Sequence, residues 1–211
     1  DLDRLDGLTR VAVRMMDNVV DVSGFALPQQ AEEARAKRRI GLGVTGLADA
    51  LAMVGLRYGS PAAAEATGAW LKRLARAAYL ASVDLAREKG PFPLFDAEKY
   101  LAGGTVAGMD DDIRAAIRNA LLTSIAPTGT ISLYAGNVSS GIEPIFATSY
   151  TRRVLQKDGS ATTETVEDYA VALWRRLKGD TPLPDHFVTA QDLSPEAHVA
   201  MQAAAQPHVD S

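Results

Sequence analysis

From Leu2 to Val22 the apolar residues Leu5, Leu8, Val11, Met15, Val19 and Val22 recur three to four positions apart. That spacing predicts an amphipathic helix with these six along one face, ended by Ser23, Gly24 and Pro28. A second apolar helix is expected from Leu47 to about Val54. It follows Ile40-Gly41-Leu42-Gly43-Val44, where two glycines allow one backbone to approach another closely. The stretch from Pro61 to Arg87 is rich in alanine and leucine, has proline in its first turn and meets Gly90-Pro91, so a long helix is expected with Trp70 and Tyr79 as core anchors. Beyond the loop at Pro91, Phe92 and Pro93 and a turn at Gly103-Gly104, a short helix is expected from about Asp110 to Leu121.

The pattern changes at Leu122-Thr123-Ser124-Ile125-Ala126, a short apolar run expected to be a buried strand, followed by Pro127-Thr128-Gly129-Thr130 and a second apolar run. This predicts strand, turn and helix in succession. Ala147 to Leu155 alternates as a strand does, Lys157-Asp158-Gly159-Ser160 is a turn, and Thr163 to Leu177 has helical spacing around Val166, Tyr169, Ala170, Leu173 and Trp174. His186 to Thr189 is a last strand candidate. Ser194-Pro195-Glu196 then opens a helix through Ala205, with serine as cap and proline in the first turn. Strands interleaved with helices predict an α/β unit, and no repeat or long linker divides it. The whole of 1–211 is expected to be one piece of a single domain, cut at both ends, since it starts without methionine inside a helix and stops without a tail.

Composition narrows the function. With 211 residues, 47% hydrophobic and 23% charged, the chain can bury a sizeable core. Its formal net charge of -4 gives no broad attraction for nucleic acid or an anionic membrane surface, so any phosphate must be held locally. No run reaches the roughly 18 to 20 apolar residues of a membrane span, and Asp1-Leu2-Asp3-Arg4 does not start a signal peptide, which predicts a cytoplasmic protein. Cysteine is absent. That excludes disulfides, thiolate metal sites and cysteine nucleophiles among these residues. His186, His198 and His208 are too scattered for a metal site, and none is expected; Asp110, Asp111 and Asp112 read as acidic residues at a helix start. Arg35, Lys37, Arg38 and Arg39 read as a solvated helix face.

The segment Ala126-Pro127-Thr128-Gly129-Thr130-Ile131-Ser132 is where chemistry is expected. A strand-end turn running into a helix leaves backbone amides without intrahelical partners, and their N–H groups together with the helix dipole favour an anion. Glycine at position 129 removes a Cβ that would hold a phosphate away. Taken alone the signal is weak, because the chain has neither the lysine of a P-loop nor the three spaced glycines of a dinucleotide fingerprint.

The longer run from Thr123 through Ala135-Gly136-Asn137-Val138-Ser139-Ser140-Gly141-Ile142-Glu143-Pro144 to Phe146 resembles a signature of ribonucleotide reductase large subunits. Met16-Asp17-Asn18-Val19-Val20-Asp21 and the segment from Arg38 to Leu51 resemble the same family in the same order, and so does the tail from Met201 to Ser211. The resemblance implies part of a ten-stranded α/β barrel, with Pro127, Thr128, Gly129, Thr130 and Ile131 holding the phosphates of a ribonucleoside di- or triphosphate substrate. It implies further donors in the Thr128 and Thr130 hydroxyls, with Asn137, Ser139, Ser140 and Glu143 fixing the loop. The Pro-Thr-Gly-Thr form is most similar to the adenosylcobalamin-dependent class, in which a cysteine thiyl radical abstracts the ribose 3′ hydrogen and a cysteine pair reduces the 2′ position, with a thioredoxin-type reductant and, in the parent, a homodimer. With no cysteine, no catalytic residue is assigned within the chain, and the piece is expected to be inactive alone. The competing expectation is a noncatalytic nucleotide-binding or assembly module derived from the family.

Overall fold

The structure is a computed structural model that describes residues 1–102 and 115–210. Its elements in chain order are α1 (Leu2–Val22), α2 (Pro28–Lys37), α3 (Leu47–Met53), α4 (Pro61–Lys89), α5 (Ala97–Ala102), α6 (Gly129–Tyr134), β1 (Ser149–Leu155), β2 (Ala161–Glu167), α7 (Tyr169–Lys178) and α8 (Pro195–Ala205), with short 3-10 turns at Ala190–Asp192 and Gln206–His208. The chain divides into two compact units. One contains Asp1–Gly43, Gly68–Ile125 and His208–Ser211, the other Val44–Thr67 and Ala126–Pro207.

The first unit is built on α1 and the α4 residues after Gly68. Its core gathers Val13, Ala78, Tyr79, Val83, Leu85, Phe92, Ile117 and Leu122, with Phe95 and Tyr100 packed edgewise around Phe92. Of the two expected anchors, Tyr79 is buried and donates to Asp210 Oδ1 at 2.6 Å, while Trp70 is only half-buried. The helix α1 forms as expected, capped by Asp1. Its buried edge, however, is Thr9, Val13 and Asp17, and Leu8, Val11, Met15, Val19 and Val22 are 50% to 81% exposed. Ion pairs accompany this orientation: Arg73 bonds Asp3 and Asp6, and Arg14 bonds Glu88, so polar residues of α1 face α4.

Pro28, expected to stop a helix, opens another, since its fixed φ suits the first turn of α2. Arg38 corrects the solvated-cluster expectation. It caps α2 in the left-handed region at φ 49 and is 3% exposed, while Arg35 and Arg39 remain outside. Beyond Ala115 the expected helix through Leu121 is absent. Residues 116–121 run irregularly, and Ala120 N donates to Lys37 O, Ile40 N to Leu121 O and Leu42 N to Leu122 O. The strand expected at 122–126 is reduced to a single parallel bridge between Leu42 and Thr123. The start of the expected helix, with Asp110, Asp111 and Asp112, and the turn at Gly103-Gly104 lie outside the described residues.

In the second unit Leu47, Ala48, Asp49, Leu51 and Ala52 of α3 are all buried. The antiparallel hairpin β1–β2 runs in register from Ser149 opposite Glu167 to Leu155 opposite Ala161 around the expected turn. The helix expected from Thr163 starts only at Tyr169. Thr162, Thr163, Thr165 and Val166 are β-branched and prefer the pleated strand, and Asp168 caps α7 by accepting from Ala170 N and Val171 N. His186 to Thr189 is not a strand either; Thr189 makes one parallel bridge to Ile145. Helix α8 begins as expected, with the Ser194 hydroxyl accepting from Ala197 N. Among the described residues the result is helix-rich with a small sheet.

Candidate anion-binding site

Pro127 brings the chain into a turn whose apex, Thr128, lies in the left-handed region at φ 54. A β-branched residue is strained there and must be held by its surroundings. Its hydroxyl does this: Oγ1 accepts from Gly141 N at 2.7 Å and lies 3.0 Å from Thr45 Oγ1. Because Thr45 Oγ1 gives its own proton to Ser139 O at 3.0 Å, the proton between the two threonines belongs to Thr128. The Thr128 hydroxyl is therefore fully used by the protein and supplies no donor to a ligand, which corrects one expectation.

Helix α6 begins at Gly129, and its ladder starts when Ser132 N donates to Thr128 O at 2.8 Å. The amides of Gly129, Thr130 and Ile131 donate to no acceptor among the described residues, and all three residues are exposed. A Cβ built on Gly129 would meet no atom within 4 Å, so space is open above these donors. Thr130 is exposed, and its hydroxyl has no partner among the described residues. Ser132 Oγ closes the turn from beneath by donating to Gly129 O at 2.9 Å.

The loop after α6 makes the wall. Gly141 has φ +51, and a Cβ on it would fall 2.6 Å from Ala126 O, so only glycine permits this approach. Asn137, itself at φ 62, donates from Nδ2 to Glu167 O and accepts from Tyr150 OH at 2.9 Å, tying the loop to the hairpin. Ser139 is buried: its carbonyl accepts from Gly46 N at 2.7 Å and its hydroxyl from Ala48 N at 3.1 Å. Between loop and hairpin lies a cavity of about 260 Å³ lined by residues that include Gly129, Asn137, Ser140, Glu143, Tyr150 and Asp168. Asn137 and Ser139 thus fix the loop, Ser140 O accepts from Glu143 N at 2.8 Å within it, and Glu143 lies on the cavity wall.

Two residues were not foreseen. Asp49 and Asp168 are 1% and 3% exposed, and both serve backbone amides here. Burial, and then the neighbouring Asp49 carboxyl, push the Asp168 carboxyl up to about 7. Asp49 had a legible signal, an acid inside the apolar run Leu47-Ala48-Asp49-Ala50-Leu51. Burial and Glu143 similarly raise the Tyr58 hydroxyl to about 12, and it donates to Ile142 O at 2.6 Å. Among the described residues no cluster of three or more histidines and carboxylates could hold a metal, and no helix is long and apolar enough to cross a membrane.

Among the described residues, a helix-rich framework with a small sheet presents unpaired backbone amides at the Pro-Thr-Gly-Thr turn. The family model for the ribonucleotide reductase barrel domain matches residues 1–211, and the chain belongs to that family. It is 38% identical to a vitamin B12-dependent ribonucleoside-diphosphate reductase of Mycobacterium tuberculosis, covering 100% of this chain and 31% of that protein. With the protein of the same description from Thermoplasma acidophilum it shares 34% identity, covering 100% and 28% respectively. With a ribonucleoside-diphosphate reductase subunit alpha of Chlamydia muridarum it shares 28%, covering 100% and 24%. The chain spans less than a third of the length of these relatives.

Proposed function

We propose that this chain is the phosphate-holding part of an adenosylcobalamin-dependent ribonucleotide reductase, an enzyme that converts ribonucleotides to 2′-deoxyribonucleotides by thiyl-radical chemistry for DNA replication. Pro127 sets the turn, and the amides of Gly129, Thr130 and Ile131 receive the phosphate oxygens of a ribonucleoside di- or triphosphate. The observation that carries this is the set of three exposed amides without a protein acceptor beneath open space at Gly129. Unpaired N–H groups at a helix start are ready anion donors. The similarity to vitamin B12-dependent relatives supports the cofactor class.

The cavity beside the turn does not suit the cofactor: at about 260 Å³ it is below the range of roughly 300 to 1,000 Å³ typical for small ligands, and a corrinoid is larger still. The radical and reducing cysteines belong elsewhere in the parent, since the chain has none. The proposal carries with it a thioredoxin-type reductant, a homodimeric parent and a cytoplasmic setting.

Amide chemical shifts followed by NMR during titration with a ribonucleoside diphosphate test the site. The Gly129, Thr130 and Ile131 amides should move in the wild-type chain, and Gly129→Val should abolish the movement while leaving the fold intact. Equal affinity in both proteins would remove the site from this turn. The absence of cysteine also keeps a second reading, a noncatalytic nucleotide-binding module derived from the family. Activity recovered when the chain replaces the matching segment of a vitamin B12-dependent relative would count against it.

A further inference from the structure

Asp49 on α3 and Asp168 at the head of α7 converge on one hydrogen. Ala170 N lies 2.9 Å from Asp49 Oδ1 and 3.0 Å from Asp168 Oδ1, so two carboxyl oxygens crowd a single N–H. Asp168 Oδ1 also takes Val171 N at 3.2 Å. Both side chains are nearly sealed from water, and no lysine or arginine of the described residues pairs with either. Of the other titratable groups on the elements around them, Glu143 and Tyr150 line the same cavity, Arg175 pairs with Glu167, and Tyr169, Arg176 and Lys178 of α7 and Arg152, Arg153 and Glu164 of the hairpin make no ion pair or hydrogen bond with either carboxyl. None of these offers a neutralising charge at the pair. Two buried anions at such proximity repel strongly in a low dielectric, and retaining one proton between them removes the repulsion.

The pair connects to the turn through Ser139. Asp49 Oδ2 accepts Ser139 N at 2.5 Å, Ser139 O accepts from Thr45 Oγ1, Thr45 Oγ1 takes the Thr128 proton, and Gly141 N returns to Thr128 Oγ1. Each bond in that chain fixes the left-handed apex from which the three unpaired amides project. We propose that Asp49 and Asp168 are positioning residues that share a single proton, and that through Ser139 and Thr45 they hold the Thr128 turn in its anion-receiving shape only while that proton is kept. This rests on the anion-site assignment above. Loss of the proton drives Asp49 from Asp168, frees Ser139 N and relaxes the turn, so anion affinity falls as pH rises through neutrality. The rise of the Asp168 carboxyl to about 7 agrees with a shared proton there.

Sulfate is the suitable probe, because its charge does not change across the window, whereas phosphate titrates within it. Sulfate affinity of the chain should weaken by about fivefold or more between roughly pH 5.5 and pH 8.5, a coupling at the lower end of ordinary two-site values. Asp168→Asn imitates the protonated acid, keeping an acceptor for Ala170 N and donating to Asp49, and should bind with one affinity at both pH values. Asp49→Asn can satisfy only one of the Ser139 and Ala170 amides, and should bind weakly throughout. A merely structural role would lower affinity in both variants without flattening the profile of either. The carboxyl carbon of Asp168 and the exchange protection of the Ser139 amide, followed by NMR without ligand, separate the two layers. Titration near neutrality together with loss of Ser139 protection supports the pair; titration in the ordinary carboxylate range, or a sulfate profile equally steep in Asp168→Asn, overturns it. Sulfate failing to bind at any pH, with the Asp168 titration still near neutrality, overturns the anion-site assignment and the coupling to it, but not the shared proton.

Discussion

Arg38 and Asp17 are bonded inside the first unit, Nε to Oδ1 at 2.8 Å, with the Arg38 Nη2 donating to the Asp17 carbonyl at 2.9 Å. Asn119 Nδ2 donates to the same Oδ1 at 3.0 Å and to Arg38 O at 3.1 Å, while Asp21 takes Arg38 Nη1 at 2.7 Å. Lys89 and Arg118 complete a shell of cations around Asp17, each at 3.4 Å. Two of the segments that resemble the reductase family, around Asp17 and from Arg38 onward, are therefore joined by this ion pair. Its work is structural: it locks α1 to the end of α2.

Removing Arg38 takes from buried Asp17 its shortest ion pair and leaves Lys89 and Arg118, each at 3.4 Å. Arg38→Ala should lower the free energy of unfolding by less than the roughly 3 to 5 kcal/mol of a fully orphaned buried charge, read from urea denaturation. Arg38→Lys should recover only part of it, because an ammonium cannot reproduce the fork that serves Asp17 and Asp21 together. Full recovery by lysine would show that charge alone, not geometry, matters at this position.

The paired glycines of Ile40-Gly41-Leu42-Gly43 should respond unequally to alanine. A Cβ on Gly43 would lie 2.5 Å from the Ser124 carbonyl oxygen, whereas one on Gly41 would lie 2.6 Å from Ser124 Oγ, a side-chain atom that can rotate away. The carbonyl is less free, since Ser124 is bound to the facing segment through its N–H to Leu42 O. Gly43→Ala should cost about 1 to 3 kcal/mol, the usual range for overpacking, and Gly41→Ala distinctly less. Thermal melts of the two variants side by side would decide this.

The glycines, the long helix and the Pro-Thr-Gly-Thr turn were legible because each depends on neighbours in sequence: proline at Pro61, serine at Ser194, glycine at Gly129. Thr163 to Glu167 misled because a short run with Val166 fits both a helical and a strand period, and pairing with β1 decided for strand. The apolar stripe of α1 announced a helix but not its orientation, in which Thr9, Val13 and Asp17 are buried and ion pairs reach α4. Arg38 looked like one of four surface cations, since nothing local reveals that Asp17 waits on another helix. For the same reason the turn was readable but its support was not: Asp49 and Asp168 meet only through tertiary structure.

Thr128 and Thr130 should separate support from contact. Thr128→Val keeps the shape of the side chain but leaves the N–H of buried Gly141 without its acceptor, a loss of about 1 to 3 kcal/mol. Thr128→Ser should restore both hydrogen bonds and anion binding. Thr130→Val, at an exposed residue whose hydroxyl has no partner among the described residues, should change stability by no more than about 0.5 kcal/mol. Unfolding curves and sulfate titrations on the three variants would show whether the Thr128 hydroxyl acts through the fold.

Stability itself should carry the signature of the buried acid pair. The Asp168 carboxyl is raised from its ordinary 3.8 to about 7 in the folded chain, so between these values the folded state holds a proton that the unfolded state has released. Folding then takes up a proton, and stability falls as pH rises through the window, by about 1.4 kcal/mol per pH unit where one full proton separates the states. Above about pH 7 the folded chain has lost the proton too, and this contribution levels off. The carboxylates whose partners hold them low, Asp21 beside Arg38 among them, act in the opposite direction but chiefly below pH 4. Urea midpoints measured from about pH 4.5 to pH 8.5 should therefore decline for the wild type and be flatter for Asp168→Asn, with the variant more stable at the alkaline end. Parallel curves for the two proteins would mean that Asp168 releases its proton at an ordinary pH despite its burial.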